Sequence, residues 1–124
     1  SCVILLPILM ANALVAPDAA PLSEAVARCD RGAVASQAQA EPVRRAEFAK
    51  GVYAEQRAIA TERAALDASS LTDELALNAA RSALDARQRR LDDAVRVERA
   101  WRDLNDELRA QFLAACTGRR ANNG

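Results

Sequence analysis

The chain has no histidine, and its 124 residues include one Lys, one Trp, one Tyr, two Phe, four Gly and four Pro. Without His, the common Ser-His-Asp triads and His-based zinc sites are excluded, and no metal site or cofactor is expected. The few glycines form no phosphate-cradling loop. Lys plus Arg and Asp plus Glu number 17 each, so there is no net charge. Acids interleave with Arg87, Arg89, Arg90, Arg96, Arg99 and Arg102, which leaves little counterion release to drive nucleic-acid binding. Acidic pairs such as Asp92-Asp93 and Asp106-Glu107 diverge by about 100° on a helix and cannot converge on one atom. These exclusions favour a non-catalytic role.

What remains is a chain rich in Ala and Arg, with 51% apolar residues but only 3% aromatic. That is the profile of long amphipathic helices. The run from Thr72 to Thr117 contains neither Pro nor Gly. Ser69, Ser70 and Thr72 precede it as a polar break, and Asp73 and Glu74 place negative charge where a helix N-terminus favours it. Leu77, Leu84 and Leu91 recur every seven residues, and Val97, Trp101, Leu104, Leu108, Phe112 and Leu113 continue the apolar pattern. Gly118 is the expected stop. A helix of this length spans roughly 65–70 Å and needs a long partner.

The partner precedes it. Phe48, Val52, Ile59 and Leu66 repeat the same beat. With a turn at Ala68–Leu71, antiparallel pairing sets Leu66 against Leu77, Ile59 against Leu84, Val52 against Leu91 and Phe48 against Val95. One register satisfies all four layers, which predicts a coiled-coil-like helical hairpin. The same register sets Arg45 beside Glu98. Glu98 and Arg102, like Asp85 and Arg89, read as i,i+4 pairs on a solvated, charged face. Tyr53 is expected at the edge of the seam.

Toward the N-terminus, Val3–Ala13 is almost wholly apolar but too short to span a bilayer. It ends in Ala11-Asn12-Ala13, the small-x-small form of a signal-peptidase site. The expectation is a signal peptide over 1–13, its basic segment lying ahead of Ser1, with no other membrane segment. A flexible lead over 14–21 follows, then a helical domain over 22–118 and a disordered tail over 119–124. A helix should begin near Pro21 or Ser23.

After such a cleavage two cysteines remain, Cys29 and Cys116, and an even pair in an exported chain reads as a disulfide. Gly32 and Pro42 suggest breaks in Arg31–Glu41, whereas its alanines and glutamines suggest helix. The hairpin register brings Cys29 to within two residues of Cys116 if this segment is helical. An all-α hairpin with its first arm kinked at Pro42 is therefore preferred. The alternative is three helices with a short loop between the first two.

The string Leu71-Thr72-Asp73-Glu74 resembles half of the LTxxQ motif of the Spy/CpxP family of periplasmic helical chaperones. Leu75 stands where that motif has Gln and no second copy occurs, so no family is assigned. The functional expectation is an exported protein, periplasmic or secreted, that binds another protein or itself, including as a dimer. Its alternative is a chaperone-like or inhibitor-like binder using an apolar face. Trp101 is expected to cover the kink at Pro42; as the alternative it is an exposed anchor, and Trp101, Leu104, Leu108 and Phe112 then form the candidate partner surface.

Overall fold

A computed structural model describes residues 14–70 and 72–123, the last six of them as backbone alone. The signal-peptide expectation over 1–13 lies outside the described residues, as does Leu71. The described chain is all-α, with three helices of unequal length: α1 (Ala20–Ala27), α2 (Arg31–Asp67) and α3 (Glu74–Asn123).

Helix α1 starts where the Asp18 carboxylate accepts from the Ala20 N–H at 3.0 Å, with Pro21 in the first turn. It ends in a paired-bond reversal. The Asp30 N–H donates to the Ala25 carbonyl at 2.9 Å and the Cys29 N–H to the Val26 carbonyl at 3.1 Å. This pattern requires a left-handed residue, and Cys29 takes that position with φ 53°. Asp30 then opens α2, its carboxylate accepting from the Ala33 N–H at 3.1 Å. The expected single kinked arm is thus two helices, and the break falls at Cys29 and Asp30 rather than within 31–41. Pro42 lies inside α2 without ending it. A proline costs the helix one donor, but Val34 and Phe48 on either side are buried and keep the segment docked.

Helix α3 begins at Glu74, two residues after the expected Thr72, and Asp73 is its cap instead of a first-turn acid. Asp73 accepts from the Leu75 and Ala76 N–H groups at 3.1 and 3.3 Å. Its end differs. The helix continues through Gly118 to Asn123, so the expected disordered tail is helical backbone over 119–123. Glycine lowers helix propensity by only about 1 kcal/mol, and no described glycine adopts the positive φ of a helix stop.

Contacts divide the chain into two compact units. In the first, Glu47–Arg96, the two helical segments run antiparallel. Arg63 meets Asp85 at 2.9 Å, and Arg87 reaches Glu62 at 2.9 Å and also Glu55. Phe48, Ile59, Leu84 and Leu91 are buried, and Val52, Leu66, Leu77 and Val95 are half-buried. Tyr53, expected at the seam, is exposed. The second unit combines Ala16–Ala46 with the chain from Val97 on. Its core joins Leu22, Ala25 and Val26 of α1 to Val34, Trp101 and Leu108, with Ala16, Ala19 and Phe112 packed against them. Ala16 and Ala19, expected in a flexible lead, are therefore part of this packing. Among the described residues no helix is long and apolar enough to cross a membrane.

Candidate functional site

The chemistry of the second unit lies at seven-residue positions that hydrophobic periodicity passes over. The beat of Leu77, Leu84 and Leu91 continues to Glu98, Asn105 and Phe112, and on α2 Val34, Glu41, Phe48 and Glu55 share one beat. Glu98 is 3% exposed and Asn105 1%. A heptad position faces the neighbouring helix whatever residue fills it. Glu98, expected on a solvated face, is therefore buried.

Burial of carboxylates requires partners. Glu41 Oε1 accepts from Trp101 Nε1 at 2.7 Å, from Arg44 Nη2 at 2.7 Å and from Arg45 Nε at 2.9 Å. Its Oε2 accepts from Arg44 Nε at 3.1 Å and Gln37 Nε2 at 3.2 Å. Arg44 bridges to Glu98 through two parallel bonds, Nη1 to Oε1 at 2.9 Å and Nη2 to Oε2 at 2.8 Å, and Arg102 Nε donates to Glu98 Oε2 at 2.7 Å. This forked geometry is the strong form of a guanidinium–carboxylate pair. The Arg44 guanidinium also sits 5.9 Å from the centre of the Trp101 ring. The expected partner of Glu98, Arg45, instead serves Glu41 and lies 3.8 Å from Asp106.

The protonation states follow from these contacts. Burial alone would raise the Glu41 carboxyl, but hydrogen bonds from Arg44, Trp101 and Arg45 outweigh it and hold the group at about 2. Glu98 is subject to the same opposition: burial raises it, and the hydrogen bonds from Arg44 and Arg102 win and lower it. The Arg44 guanidinium is held still more firmly protonated, first by its bond to Glu41. The network is thus a fixed set of charges and has no group poised to exchange a proton near neutrality. Two buried atoms of this unit, Gln37 Oε1 and Asn105 Nδ2, make no hydrogen bond among the described residues.

Cys29 and Cys116 are joined in a disulfide with Cα atoms 5.4 Å apart, which ties the end of α1 to α3. Cys116 Sγ also lies 3.7 Å from the Val26 carbonyl oxygen. Three of the four residues expected as a possible partner surface are placed differently. Trp101 and Leu108 are buried beneath α1 and Phe112 packs against the same core, so they are not a free partner surface. Leu104 remains open at 41% exposure, and Val97, one heptad earlier, at 55%.

The first unit has an open cleft of about 390 Å³ between its helices, floored by Leu66, Ala80, Ala83 and Leu84 and rimmed by Arg87 and Arg90. Arg87 is held by Glu55 and Glu62. Among the described residues no group of three or more His, Cys, Asp or Glu side chains could hold a metal ion. Comparisons with protein-family models, with curated proteins and with solved structures find no match.

Proposed function

We propose that this chain is an exported protein, periplasmic or secreted, whose disulfide-stapled, coiled-coil-like helical hairpin acts as a non-catalytic protein-interaction module. The observation that carries the reading is the Cys29–Cys116 disulfide. Such bonds persist in oxidising compartments and are rare in the cytosol. The apolar run Val3–Ala13 with its Ala-Asn-Ala end supports the same compartment from the sequence side. A binding role is supported by two long helices that carry charge on their outer faces and no cluster suited to metal chemistry among the described residues.

The alternative is a chaperone-like or inhibitor-like binder using an apolar face. Its support is the exposure of Val97 and Leu104, which share a helical face. Self-association through that face predicts a sedimentation coefficient that rises with concentration and stops rising in Leu104→Asp. A strict monomer at every concentration removes self-association from the account. For the compartment, fractionation of the native source should recover the protein outside the cytoplasm, and recovery in the cytoplasm contradicts the proposal.

A further inference from the structure

We propose that α1 is a redox-controlled strap: with the Cys29–Cys116 disulfide closed it covers an apolar groove on α2 and α3, and with the disulfide reduced it releases that groove.

Four observations lead there. First, α1 has only eight residues, far below the length at which a helix is stable alone. It is helical because it is docked. Second, its docking is apolar. Leu22, Ala25 and Val26 enter the core, and among the described residues the one polar contact between α1 and a side chain of α2 or α3 is that of the Val26 carbonyl oxygen with Cys116 Sγ at 3.7 Å. Only the disulfide that follows it adds a firm hold. Third, the hinge is loaded. Cys29 adopts the left-handed conformation, φ 53°, that L side chains other than Gly and Asn disfavour. Release of α1 lets that residue relax. Fourth, the groove does not depend on α1 for its shape. The Trp101 ring is fixed from α2, by Glu41 at 2.7 Å and by the Arg44 guanidinium. α2 and α3 can therefore stay paired when α1 leaves.

The chemistry needs a dithiol reductant. One of its thiolates attacks the Cys29 sulfur, the less buried side of the bond, and Cys116 leaves as a thiolate and takes up a proton. The reductant's second thiol then displaces Cys29. Two electrons have passed to the protein, which holds two thiols, and the reductant has become a cyclic disulfide. Opening bares Val34, Trp101, Leu108 and Phe112. The strap rests on the interaction reading above only for the use of that surface.

Trp101 is the sole Trp, so intrinsic emission reports the groove directly. The oxidised protein should be compared with protein reduced by a small dithiol and alkylated, and with Cys116→Ser. Reduction should shift the emission to the red and raise acrylamide quenching severalfold. Far-UV ellipticity should lose no more than one short helix, and reoxidation before alkylation should restore the first spectrum. Cys116→Ser should match the reduced form, and if that variant does not accumulate, the reduced wild type decides. Unchanged emission on reduction would mean that α1 stays docked without the bond. Collapse of ellipticity together with the emission shift would make the bond a staple of the whole fold. Either result overturns the strap. Export is decided separately, by the mature N-terminus, so the two readings can fail independently.

Discussion

Replacing Glu41 by Gln keeps the shape of the side chain and removes its charge. The wild-type carboxylate accepts hydrogen bonds from Trp101, Arg44, Arg45 and Gln37. Its lowering from 4.5 to about 2 corresponds to roughly 3 kcal/mol of stability at neutral pH. Breaking a buried charge pair by removing one partner costs about 3–5 kcal/mol, and Arg44 retains Glu98 in the variant, so the lower end applies. With a urea slope of about 1–3 kcal/mol per molar, the denaturation midpoint should fall by roughly 1–3 M at pH 7. The pH dependence fixes the cause. Unfolded, the carboxyl titrates near 4.5, and folded it titrates near 2. Its contribution is therefore complete above about pH 5 and lost as the pH falls toward 2. The variant lacks this titration, so the gap between the two proteins should close across that window. A loss below about 0.5 kcal/mol at pH 7, the size of an exposed pair, would refute the reasoning, as would a gap of constant size down to pH 2.

Other substitutions separate the kinds of contact. Asn105→Leu should raise stability by about 1–2 kcal/mol, because Asn105 Nδ2 is buried without a partner among the described residues, and a lower thermal midpoint would contradict this. Ile59→Asp places a charge at a position 2% exposed and should cost more than about 3 kcal/mol, seen as lost ellipticity or a much lower midpoint. Arg87→Ala should cost about 1–3 kcal/mol, because it strips the buried Glu55 of its partner. Arg96→Ala, which breaks an exposed pair with Asp93, should stay within about 0.5 kcal/mol by urea titration. Equal effects for the two arginines would mean that the burial of Glu55 is energetically idle.

Much of the helical plan is legible in the sequence, because apolar residues at seven-residue spacing and an Asp cap at residue 73 are local signals. The pairing of the cysteines is also legible, since two helices in one register bring them to nearly the same level. The break between α1 and α2 is not, because the obvious breakers, Gly32 and Pro42, both lie inside α2. The residue that turns the chain is Cys29, a type that rarely adopts positive φ, and only Asp30 signals it, as the cap of the following helix. The polar layer is also not legible. Reading only apolar residues moves the face of α3 from Leu91 toward Val97 and Leu104, whereas strict counting by seven reaches Glu98 and Asn105. Glu98 looks like a surface residue until its partner on α2, Arg44, is known, and nothing in the local sequence marks the burial of Asn105. For Trp101 the reading that its ring covers the first arm at Pro42 is the one the structure supports, since it is buried and its Nε1 donates to Glu41, the residue before Pro42; only the identity of that acidic partner is not marked by periodicity.

The proposed function depends on export and on the Cys29–Cys116 disulfide. The most direct measurement is the intact mass of protein isolated from its native source, alkylated with and without prior reduction. An exported protein should give a chain beginning at Leu14 that takes up alkylating agent at Cys29 and Cys116 only after reduction. An uncut chain whose thiols are alkylated without reduction would contradict the proposal.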